Sequence, residues 1–375
     1  MTRQSCLIIA GEKSGEDHAM TFLPQIMQQK PECDFYGVGG DKLSHLGVEL
    51  LYHLKDFSGI GITEIVSKLP FYFKALDHIL EEVEKRQTKT AILIDFQGFN
   101  LKLAKKLKKL NVEVLYYVAP QAWVWKPWRA KVLEQNVHTL FTILPFEKNW
   151  FQQRGVTKVK SVVHPLMIEH KENLGALVPF SALDLRKTTL KILLLPGSRN
   201  VEVSKLLPTF AAAVSQLKEK FDLEVGIVKS ESVQSEHYQS ASLSFDKEWK
   251  SEELKEALGW SHMAIAASGT VTLATGLYRV PTIVCYKVSK LTEIILKLFI
   301  TYKGPASLTN IIHEKMLFPE FVQEEVTVDN IVTAASFWIN HPQHYNELVS
   351  QLATTAQKLS GDDFSVSDYM SEVIS

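Results

Sequence analysis

Short apolar runs alternate with helical patterns through most of the chain. In the first half the runs have the length and composition of buried strands: CLIIA (6–10), FYGVG (35–39), AILID (91–95), VEVLYYV (112–118) and HTLFTIL (138–144). Between them, apolar residues recur with helical spacing, most clearly at Leu69, Phe73, Leu76, Ile79, Leu80 and Val83. This alternation predicts βαβ units and a mostly parallel sheet with helices on both faces.

The second half repeats the pattern after a polar, irregular stretch at 165–189, which we interpret as a linker. Its apolar runs are LKILLLPG (190–197), LEVGIV (223–228), HMAIAA (262–267) and PTIVCY (281–286). We therefore predict an α/β protein of two doubly wound, Rossmann-like domains, residues 1–175 and 186–349, with a cleft between them. Residues 345–375 have a helical pattern typical of a surface-lying segment, and the tail 350–375 is expected to pack back on the first domain.

Net charge, cysteine spacing and the length of the apolar runs indicate which classes of protein the chain does not fit. The 375 residues carry a net charge of −1, which gives no indication of nucleic-acid binding. Cys6, Cys33 and Cys285 are odd in number and lack metal-ligand spacing, so a reducing compartment is expected rather than a disulfide framework. The N-terminal apolar run is too short for a signal peptide, and no run approaches the ~20 apolar residues of a membrane-spanning helix.

Two strand-to-helix loops in the second half have the composition of anion sites. Gly197, Ser198 and Arg199 follow the strand of LLLPGSRN (193–200), and Ser268, Gly269 and Thr270 follow the strand of AASGTVTLATG (266–276). A helix N-terminus beside an arginine or hydroxyl groups suits a phosphate. Ordinary helix capping, or a salt bridge made by Arg199, is the alternative for each loop alone. Together they favour a phosphate-bearing ligand in the second domain.

The first half has two further candidate loops. AGEKSGED (10–17) is predicted to open a helix over 16–28; it lacks the dinucleotide-binding spacing, and its acidic residues favour a substrate-facing or plain βα loop over a phosphate cradle. In YYVAPQAWVWKPWRAKVL (116–133), tryptophans 123, 125 and 128 lie beside Lys126 and Arg129. Core packing accounts for one or two of them; all three favour an apolar wall with cationic rims for an amphiphilic or ring-shaped substrate.

Asp95 directly follows an apolar strand. Ligands of open α/β sheets bind outside the carboxyl ends of the strands, so this carboxylate is a candidate for chemistry. On Asp95 alone, a turn or helix cap is the commoner role. Histidine and cysteine spacing predicts no zinc site, and the chain contains neither the P-loop nor the α/β-hydrolase nucleophile motif.

Taken in order, these stretches resemble the lipid-A-disaccharide synthase family of GT-B glycosyltransferases. The matching motifs run through nearly the whole chain: AGEKSGEDH (10–18), GVGG (37–40), GIGITEI (59–65), LIDFQGFN (93–100), YYVAPQAWVWKPWR (116–129), LPFE (144–147), HPL (164–166), LLPGSR (194–199), ASGTVTL (267–273) and SLTNII (307–312). The resemblance implies that UDP-2,3-diacylglucosamine donates its sugar, with inversion, to the 6-hydroxyl of 2,3-diacylglucosamine 1-phosphate. A β-1,6 disaccharide forms and UDP leaves, with no metal or other cofactor.

The resemblance also implies site residues. Asp95 becomes the candidate general base for the acceptor hydroxyl, and Asn310 and Gln323 match polar positions near the nucleotide. Because no metal is expected, the charge of the leaving UDP must be met by the protein, and the residues themselves make Arg199 and the loops at 197–199 and 268–270 the candidates. The candidates on the acceptor side are Glu12, Ser14, Gly15, Glu16, Trp123, Trp125 and His164.

The chain departs from the family pattern at several positions. The family's S-G-D is Ser14-Gly15-Glu16-Asp17 here, which leaves open whether Glu16 or Asp17 replaces the family aspartate. The family's G-H-P is Val163-His164-Pro165. Ala274 stands where the family commonly has a glutamate that is a ribose ligand in related enzymes.

Two acylated substrates imply a cytoplasmic enzyme bound peripherally to the cytoplasmic face of the inner membrane. The candidate membrane contacts are the basic amphipathic segment 287–303 and the segment 57–73. Packing on the core of its own domain explains the pattern of segment 287–303 equally well. An oligomer is possible. The alternatives are another GT-B enzyme or a sugar-nucleotide epimerase acting on a soluble substrate, and a non-catalytic nucleotide-binding or scaffold protein.

Overall fold

The computed structural model describes residues 4–57, 68–171, 183–239, 243–288, 302 and 304–374. The chain divides into two compact units. The first unit consists of Met1–Ile168 and Leu359–Ser375, and the second of Glu169–Lys358.

The first unit is built on a parallel sheet of seven strands. The strands are β1 (Ser5–Ala10), β2 (Asp34–Gly39), β3 (Glu49–His53), β4 (Thr90–Ile94), β5 (Glu113–Tyr117), β6 (Thr139–Thr142) and β7 (Val159–Ser161), in the order β3-β2-β1-β4-β5-β6-β7. The helices are α1 (Lys13–Ala19), α2 (Leu23–Gln29), α3 (Asp41–Leu46), α4 (Leu54–Phe57), α5 (Leu69–Lys85), α6 (Gln97–Lys109), α7 (Arg129–Asn136), α8 (Glu147–Gln152) and α9 (Pro165–Glu169).

Both faces of this sheet are buried, because helices cover each of them. Along β1, Leu7 and Ile9 belong to one apolar cluster, whereas Ile8 and Ala10 belong to another. Alternate residues of a strand point to opposite faces, so a strand covered on both sides must be apolar throughout. The uninterrupted apolar runs of the sequence have this cause.

The second unit repeats the architecture with six strands. They are β8 (Leu190–Leu195), β9 (Leu223–Lys229), β10 (Lys247–Lys250), β11 (Met263–Ala267), β12 (Thr282–Tyr286) and β13 (Glu320–Val322), in the order β10-β9-β8-β11-β12-β13. The helices are α10 (Asn200–Lys218), α11 (Ser235–Gln239), α12 (Leu254–Trp260), α13 (Thr270–Leu277), α14 (Leu308–His313), α15 (Val328–Asn340), α16 (Pro342–Leu352) and α17 (Thr355–Lys358). Helix α18 (Val366–Val373) belongs to the first unit.

The predicted α/β class of two doubly wound, parallel-sheet units is confirmed. The helix predicted over 16–28 is wrong, because α1 and α2 are separate helices. Pro24 marks the break: proline lacks a backbone N–H, so it fits the first turn of α2 but not the interior of one long helix. Among the described helices, none combines the length and the apolar character that a membrane span requires.

Candidate active site

Asp95 lies directly after β4 on a strained turn. Asp95 and Phe96 have φ angles of 48° and 42°, a left-handed conformation that costs non-glycine residues about 1–3 kcal/mol each. Surrounding hydrogen bonds hold the turn. The Asp95 N–H donates to the Tyr117 carbonyl (2.9 Å), while Asn100 Nδ2 (2.9 Å) and the Tyr116 hydroxyl (3.0 Å) donate to the Asp95 carbonyl. The backbone at the end of β4 is therefore fixed by its neighbours.

The Asp95 carboxyl is suited to accept a proton. Burial, and then the nearby Glu12 carboxylate, raise its pKa to about 6, although a hydrogen bond from the Phe96 backbone opposes the shift. Among the residues that the structure describes, no cation pairs with this carboxyl. The N-cap of α6 is Phe96 rather than Asp95. Asp95 therefore does not take the N-cap position of this helix.

The loop after β1 lies beside this turn. A Cβ on Gly11 would come within 2.7 Å of the Phe96 ring, so glycine allows the two segments to meet. Glu12 and Ser14 are exposed, whereas Gly15 and Glu16 are buried. The structure thus brings the exposed part of the 10–17 loop to Asp95.

The Glu16 carboxylate binds within the fold. Its Oε1 accepts hydrogen bonds from the backbone N–H groups of Gly40 (2.8 Å) and Leu43 (3.0 Å), which lie at the N-terminus of α3. Asp17 instead forms an exposed ion pair with Lys42 (2.6 Å). Glu16 is therefore the residue that caps α3, and Asp17 remains at the surface.

The tryptophans of the 116–133 stretch lie in different environments. Trp123 donates from Nε1 to Glu147 (3.1 Å), whose burial raises its pKa to about 7. Trp125 has the Lys126 ammonium 4.0 Å from its ring centre, and Trp128 is 58% exposed. Trp125 is flanked by cations in the predicted manner, because the Arg129 guanidinium carbon also lies 5.2 Å from its ring centre.

His164 is buried in the first unit. Its backbone N–H donates to the Leu359 carbonyl (2.9 Å), and its Nδ1 accepts from the Leu166 N–H (3.2 Å). Burial, with a smaller contribution from His18, lowers its pKa to about 4, so its imidazole is neutral at physiological pH.

In the second unit, the two predicted anion loops lie at the carboxyl ends of two neighbouring interior strands. Strands β8 and β11 are adjacent and parallel, so the loops that follow them leave from the same edge. Arg199 is the N-cap residue of α10, is 77% exposed and pairs with Glu202 (2.7 Å). The Ser198 N–H also donates to Glu202 (3.2 Å). The Glu202 carboxylate is thus the anionic partner of this loop within the fold.

The second loop is partly exposed. Ser268 donates from Oγ to the Ala306 carbonyl (3.2 Å), whereas Gly269 and Thr270 are exposed at the start of α13. Ala274 lies on the same helix and is 1% exposed.

Asn310 and Gln323 are both buried and already hydrogen-bonded. Asn310 Nδ2 donates to the Phe318 carbonyl (2.8 Å) and to Glu320 (2.7 Å), and its Oδ1 accepts from the Leu317 and Phe318 N–H groups. Gln323 Oε1 accepts from the Val288 N–H (2.8 Å). Asn310 and Glu320 line a cavity of about 590 Å³. Sequence reasoning missed Glu320, although it lies only ten positions after Asn310.

The model of the lipid-A-disaccharide synthetase family matches residues 6–370. The chain belongs to this family. A lipid-A-disaccharide synthase of Myxococcus xanthus is 34% identical over 331 residues, which cover 87% of this chain and 85% of that protein. The lipid-A-disaccharide synthase of Syntrophus aciditrophicus is 30% identical over 374 residues, covering 96% and 94%.

Solved structures share the fold at low identity. A putative UDP-N-acetylglucosamine 2-epimerase from Listeria monocytogenes has a TM-score of 0.59 and is 11% identical, with 95% of this chain and 94% of that chain covered. A spinosyn rhamnosyltransferase complexed with thymidine diphosphate has a TM-score of 0.53 and 11% identity, with 94% and 96% covered. These likenesses show the GT-B fold, which transferases and epimerases share; the family distinguishes between them.

Family membership confirms the predicted activity. The chain is a glycosyltransferase of lipid A biosynthesis, which forms the β-1,6-linked disaccharide from UDP-2,3-diacylglucosamine and 2,3-diacylglucosamine 1-phosphate and releases UDP. The epimerase and non-catalytic alternatives are thereby set aside. The roles of individual residues are a separate question.

Proposed function

We propose that Asp95 is the general base of disaccharide formation. The observation that carries the proposal is a partly buried carboxyl with no cationic partner among the described residues, at the carboxyl end of a central strand. A pKa near 6 leaves it ionised at neutral pH yet basic enough to accept a proton. Asp95 takes the proton of the acceptor 6-hydroxyl as that oxygen attacks the anomeric carbon, and the bond from that carbon to UDP breaks with inversion.

Arg199 and the loops after β8 and β11 compensate the charge that develops on UDP. Backbone N–H groups at the helix starts and a guanidinium fork are suited to a diphosphate. When UDP binds, its phosphate oxygens replace Glu202 at Arg199 and at the Ser198 N–H. Asn310 and Gln323 support this nucleotide site by fixing the loops around it, because their side-chain oxygens are already bonded.

The Asp95→Asn variant tests the base. A positioned base contributes about 10²–10⁴-fold in rate, so UDP release with both acylated sugars should slow by roughly that factor. UDP affinity and the unfolding midpoint should stay near wild type. Asp363→Asn, which removes an exposed carboxylate of the same unit, is the matched control. A stable Asp95→Asn enzyme with near-normal turnover would exclude Asp95 as the base.

The Arg199→Ala variant tests the phosphate contact. It should weaken UDP binding and turnover while the unfolding midpoint changes little, because an exposed ion pair with Glu202 stabilises a protein only weakly. Arg186→Ala, which removes an exposed arginine paired with Asp184 in the second unit, is the control. Unchanged UDP affinity together with reduced stability would assign Arg199 a structural role.

The same enzyme binds the cytoplasmic face of the inner membrane. Leu69 (39% exposed) and Phe73 (53% exposed) lie one turn apart at the start of α5, and Lys102 Nζ lies 5.1 Å from the Phe73 ring centre. Apolar side chains beside a cation suit an anionic bilayer surface. Of the segments predicted from sequence, residues 58–67, 289–301 and 303 lie outside the described residues.

Flotation with anionic liposomes tests this location. Wild type should float at low salt and less at high salt, and a double variant of Leu69→Ser and Phe73→Ser should float less at both. Phe337→Ser, on a 44% exposed side chain of the second unit, should leave flotation unchanged. Absence of wild-type binding at both salt concentrations would refute the location.

A further inference from the structure

Arg129 is a buried cation without a carboxylate partner. It is 6% exposed at the start of α7, and among the described residues no acidic side chain pairs with it. In the same unit, the charge of Arg86 is compensated by two carboxylates, because Arg86 contacts both Glu49 (2.7 Å) and Glu82 (2.9 Å). An uncompensated buried charge is unfavourable unless something else brings the opposite charge. The positive charge of Arg129 is therefore not compensated by any carboxylate of the described residues.

The known contacts of Arg129 are neutral. Nη1 donates to the Gln97 side-chain oxygen (2.6 Å), and the guanidinium carbon lies 5.2 Å from the centre of the Trp125 ring. Nε is buried and has no hydrogen-bond partner. Burial lowers the pKa of Arg129, as expected where no carboxylate balances the charge.

Arg129 lies close to the proposed base. Its partner Gln97 is the first residue of α6 and follows Asp95 by two positions. The hydroxyl of Tyr116 donates to the Asp95 carbonyl and also lies within electrostatic range of Arg129. The N-terminus of α6 adds the positive end of a 13-residue helix to the same place.

We propose that Arg129, with the N-terminus of α6, binds the phosphate of the acceptor sugar. This inference rests on the proposed function, in which Asp95 receives the acceptor and the second unit receives the UDP phosphates. The acceptor carries a dianionic phosphate, which supplies the missing charge. A guanidinium presents paired donors that match phosphate oxygens, and in the described fold Nη1 has only a neutral acceptor while Nε has none.

The test compares the acceptor with the same diacylglucosamine lacking its 1-phosphate. Wild-type kcat/KM should favour the phosphorylated acceptor by roughly 10- to 100-fold, the range for hydrogen bonds to a charged group. Arg129→Gln should remove most of that preference, while the KM for the donor stays unchanged. Arg154→Gln is the matched control, because Arg154 also stacks on a tryptophan, Trp150 at 3.9 Å, but is exposed. It should keep the wild-type preference.

Other outcomes would overturn the assignment. An equal loss of rate on both acceptors would make Arg129 structural, and a raised KM for the donor alone would place it at the UDP phosphates. If Arg129→Gln does not fold, Arg129→Lys decides: a reduced preference for the phosphorylated acceptor supports the proposal, and an unchanged preference refutes it. Failure of the proposed function is distinguishable, because the Asp95→Asn variant would then keep near-normal turnover with both acceptors, whereas the preference for the phosphorylated acceptor reports on Arg129 alone.

Discussion

Unusual backbone angles gather at the carboxyl ends of the central strands of the first unit. Besides Asp95 and Phe96 after β4, Val118 after β5 has a φ of 65°, an outlier for a β-branched residue. Strain of this kind persists only where neighbouring contacts enforce it, and it clusters at functional sites. Two of the three strained residues are the proposed base and the residue that follows it.

The raised pKa of Asp95 predicts a pH dependence of turnover. Because the base must be ionised, kcat/KM should fall about tenfold per pH unit below about pH 6 and level off above it. A pH–rate profile measures this acidic limb of the curve, and the Asp95→Asn variant should lack it.

The effect of Asp95 on the free energy of unfolding changes with pH in the opposite direction to its effect on turnover. A folded pKa above the unfolded value of about 3.9 means that Asp95 disfavours folding increasingly as pH rises from about 4 to 6. Protonation of Asp95 at low pH therefore does not destabilise the fold, so unfolding caused by Asp95 cannot explain the loss of turnover below about pH 6.

Glu147 is the group to separate from Asp95, because burial raises its pKa to about 7. Glu147→Gln removes its titration and keeps an acceptor for Trp123. We expect this variant to retain the limb near pH 6. A limb that survives in Asp95→Asn and disappears in Glu147→Gln would contradict the assignment.

Candidate site residues were recognisable from the sequence where the signal is local. Asp95 stands out because it follows a buried strand, and Arg199 because it begins a helix after a glycine. The pairing of Glu16 with Gly40, or of Arg129 with Gln97, joins positions far apart in the chain. No periodicity or local motif encodes such contacts, so only the fold reveals that Glu16 caps a helix.

At the scale of elements, the sequence predicted interior strands and missed the edges. Every interior strand of both described sheets corresponds to a predicted apolar run, whereas β3, β7, β10 and β13 do not, and these are the edge strands. The cause is physical. Edge strands are short or partly exposed: β10 reads KEWK, and β7 and β13 have three residues each. Their pairing depends on a neighbouring strand rather than on their own apolar character.

The contacts of Glu16 lead to a prediction of how strongly this side chain stabilises helix α3. Glu16→Ala removes the carboxylate that accepts two hydrogen bonds from backbone N–H groups at the start of α3, and should lower the free energy of unfolding by about 2–4 kcal/mol. Glu16→Gln keeps an acceptor and should cost less than half of that. Chemical denaturation measures the difference. Asp17→Asn, which loses only an exposed pair, should change stability by about 0–1 kcal/mol. An Asp17→Asn effect larger than that of Glu16→Ala would reverse these roles.

At the scale of the whole molecule, the chain returns to its first unit at the C-terminus. Helix α18 contacts α2 there: Gln29 Nε2 donates to Asp368 (2.6 Å), and the Ser367 hydroxyl donates to the Phe22 carbonyl (3.1 Å). The Tyr369 hydroxyl lies 2.8 Å from the Thr139 hydroxyl. The first unit is thus completed only by residues that follow the entire second unit in sequence.

This topology predicts a stability effect confined to one unit. Met370 is fully buried against the first unit, so Met370→Ala should lower the free energy of unfolding of that unit by about 2–5 kcal/mol through the cavity it leaves. Hydrogen exchange resolved by peptide measures each unit separately. Protection should fall in β1, β4 and α2, while β8 and β11 stay at wild-type levels. Glu372→Ala, on an exposed position of the same helix, should change stability by no more than about 0.5 kcal/mol. Equal loss of protection in both units would mean that they unfold together, and no loss in the first unit would mean that α18 contributes little to its core.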